Sequence, residues 1–143
     1  MAVEEPAQFG RVHTMNPISL LGREVTGTVD RPLGSAHPQH GFIYPVNYGY
    51  IPGAIAADRE DLDAYILGVF EPVQQFTRIC IAVIDRTFDE ARLIVVPEGK
   101  GYSDAQIRAL TEFHERFFTS VITGSLSESQ QRRPFHRRER RDR

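Results

Sequence analysis

Asp58-Arg59-Glu60-Asp61-Leu62-Asp63 packs four carboxylates into six residues. Such crowding raises the energy of every negative charge unless a cation sits among them. Hard divalent cations take carboxylate oxygens, and Mg2+ keeps coordinated waters that can serve as nucleophiles. In an extended segment Asp58 and Glu60 face the same way, and Asp63 joins them only if the chain bends. The spacing and the missing glycine exclude an EF-hand. Just upstream, Tyr44-Pro45-Val46-Asn47-Tyr48-Gly49-Tyr50 carries three tyrosines and an asparagine. Phenol hydroxyls are neutral donors suited to phosphate oxygens. Downstream, Asp85, Glu90 and Arg92 surround a turn, and a guanidinium makes a two-pronged phosphate clamp. Taken singly, each has a plain structural role as solvated acid, packed ring or surface base. Their succession along the chain points to metal-assisted phosphate chemistry.

Positioning these residues falls to a set of short strands and one helix. Glu24 to Asp30 alternates apolar and polar and reads as a strand. Arg31 to Pro52 is rich in Pro, Gly and aromatics and reads as loops with short extended pieces. Leu62 to Phe70 is a strand leaving the acidic box. Arg78 to Asp85 is an apolar, β-branched run expected to be buried, and Ala91 to Pro97 is a further strand. The period then changes. Ser103 followed by Gln106 has the form of a capping box. Ile107, Leu110, His114, Phe117 and Val121 recur at helical spacing, predicting an amphipathic helix from Ser103 to Ile122. Strands first and a closing helix last give an α+β domain, a small closed barrel with one packed helix.

The chain has 143 residues, 41% hydrophobic and 25% charged, which suits one domain. We expect an N-terminal arm over 1–22, the barrel over 23–124 and a disordered Arg-rich tail over 125–143. Residues 131–143 hold seven arginines against Glu139 and Asp142, a net +5 that leaves the rest of the chain at −7. An acidic body argues against nucleic acid as a partner. No apolar run approaches the roughly 20 residues of a membrane span. The N-terminus lacks an apolar signal region, and Cys80 is the one cysteine, set in the apolar run Ile79–Ile84. It is expected to be a small buried side chain in a cytoplasmic protein.

The segment YPVNYGYIPGAIAADREDLDAYILGV resembles the soluble family I inorganic pyrophosphatases, whose D-x-D-P-x-D box follows an NYGY-type segment by about ten residues. A second match runs from Asp85 to Pro97, with Asp85, Glu90 and Arg92 at the family's spacing of five and then two. The resemblance covers residues 24–122. It implies an OB-like five-stranded β-barrel with a packed C-terminal helix, a homo-oligomer, Mg2+ as cofactor and pyrophosphate as substrate. It implies Asp58, Asp63, Asp85 and Glu90 as metal ligands. Glu60 stands where the family has the acid that helps deprotonate the attacking water. Tyr48 and Arg92 stand at phosphate contacts, Arg92 in place of the usual lysine.

The chain departs from the family pattern at several points. The hairpin upstream of NYGY is shortened, and two registers fit. One sets Val29-Asp30-Arg31 on the family's strand-end arginine, making Arg31 a phosphate contact; this is the preferred reading. The other sets Asp30 to Ser35 on an early turn and exchanges its lysine for Leu33. His37 and His40 lie nearby, as loop surface or as phosphate contacts. Phe117-Phe118 stands where the family's helix carries a Tyr-Lys pair, and Arg59 replaces a usual glycine. These departures leave two further readings. One is hydrolysis of another small phosphoanhydride or phosphoester. The other is a catalytically weak OB-like binding barrel.

Overall fold

The computed structural model describes residues 15–55, 60–87 and 91–124. The expected tail over 125–143, most of the expected arm, and Asp58 and Glu90 lie outside the described residues. A 3-10 turn at Pro17–Leu20 opens the described chain, capped by the Asn16 side chain on the Ile18 amide. Leu20 and Leu21 pack on the core, and the Gly22 amide donates to the Cys80 carbonyl.

The strands are β1 (Glu24–Arg31), β2 (Asn47–Ile55), β3 (Asp61–Ile66), β4 (Gln75–Arg86), β5 (Arg92–Val96) and β6 (Ser120–Gly124). They are ordered β1-β2-β3-β5-β4, and β4 pairs back on β1 to close a five-stranded barrel. One helix, α1 (Asp104–Glu115), packs outside it. Aliphatic side chains of the inner faces fill the barrel, among them Val25, Ile51, Leu62, Ile66, Val83 and Leu93. Cys80 is buried there, and burial pushes its thiol up to about 11. A second cluster lies under α1 and includes Tyr44, Tyr48, Tyr65, Ile94 and Ile107.

Three expectations are corrected. First, β2 begins inside the stretch read as loops. Its tyrosines and isoleucines favour strand, but Gly49, Pro52 and Gly53 mask the signal. Gly49 is required because β1 and β2 approach closely there: a Cβ would overlap the Thr28 carbonyl oxygen. Gly49→Ala is therefore expected to cost about 3 kcal/mol by forcing two backbones apart, read from a urea unfolding curve. Second, β3 stops at Ile66 rather than Phe70; Gly68 turns the chain at φ 81°, and Phe70 stands 80% exposed.

Third, the helix ends at Glu115, not Ile122, and its buried residues are Ile107, Thr111 and Glu115. The capping box is as expected, with Ser103 Oγ accepting from the Gln106 amide and Gln106 Oε1 from the Ser103 amide. Leu110, Phe117 and Val121 of the anticipated stripe are exposed instead. Two forces override the spacing. Residues 120–124 are partly β-branched and pair with the edge of β4, Val121 opposite Asp85 and Ile122 opposite Ile84. A buried ion pair also turns Glu115 inward.

Candidate active site on the helix-covered face of the barrel

β3 and β5 run parallel, so their beginnings lie side by side, Asp63, the third residue of β3, in register with Arg92, the first of β5. The antiparallel neighbours extend that row to Tyr50 on β2 and Ile84 on β4. The next row carries Arg31, Tyr48 and Tyr65 in register across β1, β2 and β3. Side chains directly across a ladder share a face. Arg31, Tyr48, Asp63 and Arg92 therefore gather on the face toward α1, at one end of the barrel. That end is where the chain enters β3 and β5.

The Tyr48 hydroxyl donates to Asp63 Oδ2 at 3.1 Å, and Arg92 Nη2 lies 3.7 Å from the same oxygen. Burial holds the Tyr48 phenol well above its usual range, so it stays a donor. Asp63 is raised by burial, an effect that Arg92 and the Tyr48 bond only partly offset. Its side chain is 32% exposed. Among the described residues both of its side-chain contacts fall on Oδ2, which leaves Oδ1 to a ligand. A partly desolvated carboxylate with a spare oxygen is a favourable donor for a hard cation.

Arg31 is half-buried beside the Tyr44 hydroxyl, and its Nη1 lies 4.0 Å from Asp30. Glu60 is exposed at the entry to β3. Asp85 is exposed on β4. It follows Ile84, the residue in line with Arg92 and Asp63, so it points to the other face of the sheet. The described strands thus bring Asp63 together with Tyr48, Arg92 and Arg31, and set Asp85 apart from them. Among the described residues, no three His, Cys, Asp or Glu side chains are grouped to hold a metal.

Beneath this site lies a polar network that the sequence did not disclose. Arg86 Nη2 donates to Glu115 Oε2 at 2.7 Å and Nε to Oε1 at 3.1 Å. Tyr65 donates to Glu115 Oε2 at 2.6 Å. With that proton committed, the Tyr65 oxygen accepts from His114 Nδ1, 3.1 Å away. The Arg86 guanidinium lies 3.7 Å over the Phe118 ring. The usable signal was Glu115, spaced four and eight residues from Thr111 and Ile107 on the buried side of α1. Which base would meet it was not readable from one sequence.

Burial, then the Arg86 charge, push His114 down to about 4. Burial opposes the charge on Glu115, but the Arg86 and Tyr65 bonds outweigh it and lower its carboxyl. Unfolded His114 takes up its proton near pH 6.5, the folded residue only near 4. Between those values the unfolded state binds more protons, so stability falls as pH drops through that window. Glu115 acts in the same sense at lower pH. We expect the melting temperature to decline from pH 6.5 toward 4, and His114→Gln to flatten the upper part of that decline.

Comparison with known proteins gives the same architecture a family. The inorganic pyrophosphatase family model matches residues 24–123. The inorganic pyrophosphatase of Ralstonia nicotianae is 30% identical over 105 residues, covering 68% of this chain. The chain spans only about half, 54%, of the length of that curated relative. Inorganic pyrophosphatase from Ehrlichia chaffeensis superposes with a TM-score of 0.59 at 14% identity, over 78% of this chain and 89% of that one. The Helicobacter pylori enzyme gives 0.53 at 14% identity, over 71% and 82%. At such identities the structural likeness is one of fold: a closed barrel with a helix against its side. Because the family match runs from the start of β1 through the whole barrel and α1 into β6, the chain belongs to the inorganic pyrophosphatase family.

Proposed function

We propose that this protein hydrolyses inorganic pyrophosphate to two phosphates with Mg2+ at the β3–β5 end of the barrel. The observation that carries the reading is the convergence of Tyr48, Asp63, Arg92 and Arg31 on one face. Asp63 would hold the metal through Oδ1, joined by Asp58 and Glu90, whereas Asp85 stands on the opposite face of the sheet and is left out of that set. Bound Mg2+ supplies a water of lowered pKa and charge neutralisation at the phosphate oxygens. Glu60 takes the proton of the attacking water. That water adds in line to one phosphorus as the bond to the bridging oxygen breaks, and the second phosphate leaves with that oxygen. Arg92 and Arg31 offset the charge of the phosphate oxygens. The buried Tyr48 hydroxyl keeps Asp63 Oδ2 fixed, so the free oxygen is presented in one orientation.

The test is phosphate release by the purified full chain with Mg2+ and pyrophosphate, beside a panel of nucleoside di- and triphosphates. Release from pyrophosphate above that from the nucleotides supports the reading. Release from nucleotides alone would shift it to another phosphoanhydride. No release across Mg2+, Mn2+ and Co2+ would overturn it.

A further inference from the structure

The loop between β1 and β2 holds a histidine whose hydrogen atoms can be placed from its neighbours. Gly34 donates to the Tyr44 carbonyl, Tyr44 to the Ser35 carbonyl and His37 to the Phe42 carbonyl, so residues 34–44 form a bonded hairpin rather than a loose loop. Within it, the amides of Gln39 and His40 both donate to His37 Nδ1, each at 3.1 Å. A backbone amide can only donate. Nδ1 must therefore carry a lone pair, and the ring proton sits on Nε2. This tautomer follows from obligate donors, whereas most histidine assignments rest on ambiguous partners. A proton added at Nδ1 would break both bonds, so the ring is held neutral.

The His37 ring is partly exposed and meets the edge of the His114 ring, 6.1 Å away between centroids. Its centroid lies 6.3 Å from that of Tyr44, the ring beside Arg31, and 4.7 Å from that of His40. Arg31 in turn stands in register with Tyr48. A cation and a neutral N–H donor thus flank the Tyr44 ring, which lies 5.6 Å from the ring of Tyr48, the residue bonded to Asp63. This pairing suits a phosphate group: charge from one side, a directed donor from the other.

We propose that His37 is a substrate-binding residue, its Nε2–H donating to an oxygen of the pyrophosphate end that Arg31 neutralises. The inference rests on the pyrophosphatase reading and extends its phosphate-binding half onto the β1–β2 loop.

His37→Asn separates the donor from the loop. The asparagine oxygen can still accept from the two amides, as in an Asx turn, but nothing remains at the Nε2 position. A glutamine reaches further and restores an N–H there. We expect KM for pyrophosphate to rise about tenfold in His37→Asn with kcat within about threefold. His37→Gln should recover part of that loss. An unchanged KM in His37→Asn would overturn the proposal while leaving the hydrolysis reading intact.

A second measurement does not depend on turnover. In 15N-histidine-labelled protein at pH 7, His37 should show protonated Nε2 and bare Nδ1. Pyrophosphate added without metal should move the Nε2 resonance. If it does so in a protein that releases no phosphate, the binding role holds and the hydrolysis reading fails. If Nε2 does not respond, or Nδ1 carries the proton, the proposal is wrong whatever the activity.

Discussion

Asp63→Asn should abolish phosphate release, with a loss on the order of a thousandfold or more, equivalent to about 4 kcal/mol of transition-state stabilisation. The substitution keeps the shape of the side chain. Its amide oxygen can still accept from Tyr48, which sits 3.1 Å away. What disappears is the negative charge and the free carboxylate oxygen. The stability outcome is as informative as the loss of activity. Burial raises the Asp63 carboxyl more than Arg92 and Tyr48 lower it, so its charge is held at a cost to the fold. Removing that charge offsets part of what is lost at Arg92, and the melting temperature should stay within about 5 °C. Retained phosphate release would mean that the Asp63–Arg92 corner is not the site. A large fall in melting temperature would mean that Asp63 serves the fold.

The reverse pattern is expected one layer down. Glu115→Ala should destabilise the protein by about 3–5 kcal/mol, because it removes a buried carboxylate that both the Arg86 guanidinium and the Tyr65 hydroxyl bond. For a chain of this size that is a melting shift of roughly 10–15 °C. The side chains of Arg86 and Glu115 are only 2% and 5% exposed, so water cannot replace the lost partner. The Tyr65 hydroxyl loses its acceptor in the same step. Replacing both ends with apolar side chains, Arg86→Met with Glu115→Leu, should recover much of the loss, since no charge is then left buried. Equilibrium urea unfolding distinguishes the cases. A change under about 1 kcal/mol in Glu115→Ala would show that α1 is held by Ile107 and its apolar neighbours alone.

The two variants divide the cluster by purpose. Asp63 keeps an exposed edge and an uncommitted oxygen, as a binding group must. Glu115 is enclosed and saturated by Arg86 and Tyr65, as a structural group must be. They are linked through adjacent rings: the Tyr48 and Tyr65 centroids lie 4.8 Å apart, and each phenol is committed to one of the two carboxylates. A loss of packing at Glu115 should therefore also reduce activity, through the orientation of Tyr48, but by far less than Asp63→Asn.

What the sequence determined by itself was local or carried by motif. Alternation in β1 and the apolar run of β4 named those strands, because a strand with one buried face must alternate and one with two must not. The capping box fixed the start of α1, because its two bonds lie within four residues. The spacing of Tyr48, the acidic box and Arg92 pointed to phosphate chemistry, and the family resemblance supplied the barrel.

Tertiary structure decided whatever depended on residues far apart in the chain. β2 was hidden because Gly49 is chosen for its distance from Thr28, not for strand propensity. The helix was drawn too long because Val121 fits a helical spacing, yet the free edge of β4 offered Ser120–Gly124 a ladder of hydrogen bonds. Pleat parity put Asp85 on the opposite face from Asp63, although both belong to one motif set. Arg86 and Glu115 found each other across the barrel and the helix, and a pairing between distant charges has no period to reveal it. The same holds for His37, whose proton is placed by two amides that only the folded loop brings to its ring.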